Sequence, residues 1–224
     1  MNLLADRPPE RVKIGGAEYP IRSDFRVSVL FELLMLDEDI TPEDRLIRTF
    51  DLYFPPENAP RHENPADIMR AVTWFYLCGR SDKEQRLRDA LRDKNDDEED
   101  SPEDEQRRIY SFDYDDEYIY AAFRQQYGID LVAVDYLHWW EFRAMFKALD
   151  DRCQFVKIMG YRAAKITGKM SETERTFLNR MKRLYALPLS ESERRRQDRL
   201  LDALKNGGDL SGLFGNGDAD NDDE

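Results

Sequence analysis

A chain of 224 residues with 47 acidic and 34 basic side chains carries a formal net charge of −13, so its overall field repels phosphate backbones and argues against non-specific nucleic-acid binding. No apolar run approaches the roughly 20 residues that span a bilayer, and the opening MNLLADRPPE holds no signal-peptide apolar segment, so the chain is expected to be soluble and to act where it is made. Two cysteines, Cys78 and Cys153, read as buried thiols rather than a disulfide framework, and two histidines, His62 and His138, cannot build a zinc set without carboxylates.

Val12 to Ile21 reads as a small β-hairpin, with Gly15-Gly16 supplying the positive φ angles of a two-residue turn. Ser23 or Asp24 caps a helix to roughly Leu36, with Phe25, Val29, Leu30, Leu33 and Leu34 as a broad buried stripe. Thr41-Pro42 and Asn64-Pro65 open two more helices, because a proline at the first helical position gives up a donor that has no helical partner there. The first carries Leu46, Ile47, Phe50, Tyr53 and Phe54 and stops at Pro55-Pro56. The second carries Ile68, Met69, Val72, Phe75 and Tyr76, with Gly79 as its C-terminal cap. From about residue 81 to 108 the periodicity collapses, and Asp93 to Glu105 holds nine acids and one base. That stretch reads as an acidic insert in one domain spanning 11–188, preceded by a flexible start at 1–10.

Helices resume with Asp113 as a cap, Ile119, Ala122 and Phe123 facing inward, and Gly128 as terminator. The next runs from about Asp135 to Leu149, with Tyr136, Trp139, Phe142, Phe146 and Leu149 on one stripe and Leu137, Trp140 and Ala144 on another. A helix apolar on two faces belongs in the middle of a domain. Asp151 to Ile166 forms a third, burying Phe155, Val156 and Met159. Ser171 to Glu174 is a capping box ahead of Phe177, Leu178, Met181, Leu184 and Tyr185. A second box, Ser190 to Glu193, opens a charged helix over 189–206 with Leu200, Leu201 and Leu204 apolar, and 207–224 reads as a disordered acidic tail. The expected fold is mainly α, a bundle of about six to eight helices with a small N-terminal β-hairpin.

His138 beside Trp139 and Trp140 could serve as a general base, but no Ser or Cys nucleophile lies near it in sequence, so a satisfied core histidine is the better reading. Asp113, Asp115, Asp116 and Glu117 lack the glycine and the terminal glutamate of a calcium loop and fit a helix N-terminus, whose dipole favours acids. No GxxxxGK[ST] phosphate loop occurs. No catalytic residue, cofactor or metal is expected, and the chain reads as non-enzymatic. From Arg152 to Arg183 nine bases face two acids, a net of +7 inside a −13 protein. Such a sector balances the chain's own acids or docks a protein partner, with a nucleic acid as the weaker expectation.

The strings Tyr110-Ser111-Phe112-Asp113-Tyr114-Asp115, Tyr127-Gly128-Ile129-Asp130-Leu131 and Leu137-His138-Trp139-Trp140-Glu141-Phe142 resemble the bacteriophage gene product fifteen family. So do Tyr19-Pro20-Ile21, Ser23-Asp24-Phe25-Arg26, Gly160-Tyr161-Arg162 and Tyr185-Ala186-Leu187-Pro188, a resemblance over roughly residues 10–188. It implies a tail-region protein of long-tailed phages and prophages, encoded between the tail-tube and tape-measure genes. It further implies an assembly chaperone that binds the tape-measure protein or other tail proteins in the bacterial host cytoplasm, with self-association compatible. The alternatives are a structural tail or head–tail component and a nucleic-acid-binding regulator. Residues assigned to partner binding are Trp139, Trp140, Arg162, Leu200, Leu201, Leu204, Leu213 and Phe214.

Overall fold

The computed structural model describes residues 3–80, 108–188 and 194. The acidic insert, most of the charged helix expected over 189–206, the tail, and the expected partner residues Leu200, Leu201, Leu204, Leu213 and Phe214 lie outside the described residues. The chain divides into two units, Met1–Leu187 and Pro188–Glu224.

The described residues of the first unit hold seven α-helices, one 3-10 turn and one two-stranded antiparallel sheet, the mainly α architecture expected. Strands β1 (Arg11–Ile14) and β2 (Ala17–Pro20) pair with Val12 opposite Tyr19. Gly15 and Gly16 take φ of +56° and +91° in the turn, angles a Cβ would oppose. Val12 and Ile14 face inward and Arg11 and Lys13 outward, the alternation of a strand with one buried side.

Helices α1 (Phe25–Leu36), α2 (Pro42–Tyr53) and α3 (Pro65–Tyr76) start as expected. Asp24, Thr41 and Asn64 each accept a backbone N–H of the first turn, meeting donors the helix itself cannot satisfy. α3 ends earlier than the glycine suggests. Leu77 is its C-terminal cap and Cys78 takes the left-handed φ of +58°, while Gly79, at +73°, sends its N–H back to the Trp74 carbonyl at 2.9 Å.

Asp115 rather than Asp113 holds the N-cap position of α4 (Asp116–Tyr127), its carboxylate bonded to the Ser111 N–H and Arg162 and not to the helix, and Gly128 ends α4 at φ +69°. α5 (Trp139–Lys147) is four residues shorter at its start than its apolar spacing suggests. The reason lies in the segment ahead of α1: Phe25 donates to the Leu137 carbonyl at 2.9 Å and Trp139 to the Ser23 carbonyl at 2.8 Å, so residues 136–138 are extended, not helical. Tyr136, expected inward, is half exposed and its hydroxyl meets that of Ser23 at 2.8 Å. α6 (Gln154–Ala163) and α7 (Glu172–Leu184) follow.

The core centres on α5. Phe142 stacks on Phe25 at 4.7 Å, on Phe123 at 4.8 Å and on Trp139 at 5.7 Å. It thereby ties the first helix of the chain to α4, and offset ring pairs of this kind add about 0.5–1.5 kcal/mol each beyond area burial.

Candidate partner-binding face

The indole pair is scaffolding. Trp139 and Trp140 are each 2% exposed, and their ring N–H groups donate at 2.8 Å to the carbonyls of Tyr76 and Phe75 at the end of α3. Both donors are therefore used internally, which corrects the assignment of these two residues to partner contact. His138 is equally committed. Its Nδ1 accepts the Trp140 N–H at 3.0 Å, capping α5, and its Nε2 lies 3.2 Å from the Pro9 carbonyl. That pattern needs Nδ1 bare and Nε2 protonated, the neutral ring, and burial holds its pKa below the usual histidine value.

Arg162 is also internal. Its guanidinium makes a fork on Asp115 at 2.6 and 2.9 Å, with side-chain exposures of 10% and 1%. It reaches the Tyr185 carbonyl at 2.6 Å and the Ile109 carbonyl at 3.1 Å. It therefore joins α6, the start of α4 and the segment after α7, and offers no free charge to a partner, a second correction.

A polar cluster that the sequence patterning does not announce sits where α1, α3 and α5 meet. The Tyr76 hydroxyl donates to Glu32, and the Arg143 guanidinium lies 5.2 Å over the Tyr76 ring and 5.7 Å over the Trp139 ring. Burial raises the Glu32 carboxyl above its ordinary value and pushes Tyr76 and Tyr110 well up. Burial likewise raises the Cys78 thiol, which keeps it a poor nucleophile. Glu32, the sole charge between Arg26 and Asp37 in an otherwise apolar helix, is the signal that could have found it. Its groups bond to one another across α1, α3 and α5 and so tie these helices together.

Among the described residues, one partly open face lies on α7, where the Phe177 ring meets Tyr161 edge-on at 5.9 Å. This helix has no buried residue. Phe177 is 48% and Leu184 64% exposed, while Leu178 and Met181 are half-buried. At about 100° per residue, Phe177, Met181 and Leu184 share one arc, Arg180 runs along its edge, and Arg183 lies about 100° beyond Leu184 on the same side. A capping box secures the start: the Ser171 hydroxyl accepts the Glu174 N–H at 3.3 Å, and the Glu174 carboxylate accepts the Ser171 N–H at 2.9 Å. The far end is pinned by Tyr185, stacked on Tyr161 at 6.1 Å with its carbonyl on Arg162, and by Lys182 donating to the Arg162 carbonyl at 3.1 Å. Of the nine bases from Arg152 to Arg183, Arg162 is held internally on Asp115, whereas Arg152, paired with Asp150, is itself exposed, as are Lys157, Lys165, Lys169, Arg175, Arg180 and Arg183. The sector's positive charge is thus a surface property along α6, α7 and their connection.

A hollow of about 320 Å³ is lined by Pro42, Arg45, Leu46, Pro65, Ala66 and Met69 at the starts of α2 and α3. Among the described residues no group of three His, Cys, Asp or Glu could hold a metal, and no helix is long and apolar enough to cross a membrane. The family model described as bacteriophage Gp15 protein matches residues 4–187. No curated protein and no solved structure matches the chain.

Proposed function

The chain belongs to the bacteriophage Gp15 protein family, and from that premise we propose that it is a tail assembly protein, a chaperone that binds the tape-measure protein during morphogenesis in the host cytoplasm. The observation that carries the reading is α7: a regular, capped helix with no fully buried residue, on which Phe177, edge-on to Tyr161 at 5.9 Å, stays about half exposed and Leu184 is exposed. An isolated helix of its length is marginal in water, and apolar side chains left in solvent on a capped helix supply surface for another polypeptide. A tape-measure protein is long and helical and needs its apolar faces covered until the tube encloses it, and a protein of net charge −13 keeps such a complex in solution. The working parts are surfaces, and the internally bonded polar groups, His138, Glu32 and Arg162, act as ties. Co-expression with the cognate tape-measure protein tests this. A soluble complex, and a larger soluble fraction of the tape measure than in its absence, is the expected outcome. Recovery of the two proteins apart, with the tape measure insoluble in both cases, rules the reading out.

A further inference from the structure

We infer that the exposed strip of α7 takes an amphipathic helix whose polar flank is acidic; the inference rests on the partner-holding reading above and adds the chemistry of the occupant. Phe177, Met181 and Leu184 are spaced i, i+4, i+7 and span about 10 Å along the axis, two turns, which is the footprint of one helix crossing another. The backbone of α7 is already hydrogen-bonded within the helix, so the strip offers side-chain ridges and no edge for an extended strand. Its border fixes the sign of the partner. Arg180 borders the apolar arc, Arg183 lies beyond it on the same side, Arg175 lies on the opposite side of the helix, and Lys169 lies in the preceding connection, all exposed. The acids of α7, Glu172 and Glu174, sit in its first turn, where Glu174 is held by Ser171. A basic or neutral helix gains only the apolar contact here, whereas a helix with Glu or Asp beside its leucines adds ion pairs at a partly desolvated rim. The surface thereby selects, within an acidic protein, clients that the net charge would otherwise turn away.

The test uses the full chain and two synthetic helices of about 21 residues, long enough to hold helicity, sharing the same leucine stripe and carrying either glutamates or lysines along its flanks. Fluorescence anisotropy is expected to show the glutamate peptide bound and the lysine peptide at least about tenfold weaker, with the difference shrinking as salt rises from about 0.05 to 0.5 M. Arg180→Glu/Arg183→Glu, confined to exposed side chains, is expected to weaken the glutamate peptide about tenfold while leaving the melting temperature unchanged. Phe177→Ser/Leu184→Ser weakens both peptides. Equal binding of the two peptides, or an affinity indifferent to the charge reversal, overturns the proposal. So does glutamate-peptide binding that emerges only once the acids of residues 93–105 are neutralised, which gives the strip to the chain's own acids. Binding of duplex DNA that is lost on the arginine reversal but untouched by Phe177→Ser/Leu184→Ser likewise overturns it in favour of a nucleic-acid surface. If the tape-measure complex forms while the glutamate peptide fails, the inference falls and the chaperone reading stands; the reverse pattern removes the chaperone reading alone.

Discussion

Arg162→Ala tests whether this residue is an internal tie. Its guanidinium supplies two bonds to Asp115, whose side chain is 1% exposed and also accepts the Ser111 N–H at 2.9 Å. Truncation leaves a buried carboxylate on that backbone donor, and it also releases the carbonyls of Ile109 and Tyr185. Removing one member of a buried ion pair costs about 3–5 kcal/mol, and in a unit of this size each kcal/mol moves the melting temperature by about 2–4 °C. Circular dichroism melts are therefore expected to fall by about 6–20 °C. Asp115→Leu/Arg162→Met, which removes both charges and keeps apolar volume, should recover much of that loss, so the double-mutant cycle shows strong coupling. A loss below about 1 kcal/mol for Arg162→Ala, the range of an exposed pair, or strictly additive effects, would refute the assignment and return Arg162 to the surface.

Gly79→Ala should destabilise by about 1–3 kcal/mol, because a left-handed residue with a Cβ is strained and that Cβ would lie 2.9 Å from an atom of the Trp140 ring, itself held by its bond to Phe75; urea denaturation measures it. His138 predicts an acid-sensitive fold. Its folded pKa lies below the usual 6.5, so its contribution is present above that value and is lost as pH falls through the folded value, where a protonated Nδ1 can no longer accept the Trp140 N–H. Urea midpoints taken between about pH 7 and 5 should drop in the parent and drop less in His138→Asn, which keeps a capping side chain; equal slopes would show the acid response to lie elsewhere. Ser171→Ala removes the hydroxyl half of the capping box and leaves the backbone N–H of residue 171 on Glu174, so amide exchange should quicken in the first turn of α7 with the rates in α5 unchanged.

Where proline and an oxygen-bearing side chain stand together, at Thr41-Pro42 and Asn64-Pro65, helix starts are legible in the sequence because both effects are local. The Ser171 box and Gly128 are legible for the same reason. The start of α5 is not, since Asp135 to Leu137 are withheld from the helix by hydrogen bonds to residues 23–25, over a hundred positions away. Sequence spacing does not single out Asp115 from its acidic neighbours, because its buried partner, Arg162, is also far along the chain. Aromatic density marks Trp139 and Trp140 both as core and as partner contacts, and the two roles compete for one surface; the carbonyls at the end of α3 decide it. The basic sector is visible as a count, but that Arg162 is withdrawn from it by Asp115, while Arg152 stays at the surface despite its pair with Asp150, depends on tertiary packing.

A chaperone holds its tail protein before assembly and then leaves it, and quantitative mass spectrometry of assembly-stage lysates and of purified particles reads both halves of that behaviour. The chain is expected in complex with the tape-measure protein in the lysate and absent from finished particles. A fixed copy number in the particles would contradict the proposal and make the chain a structural part of the virion.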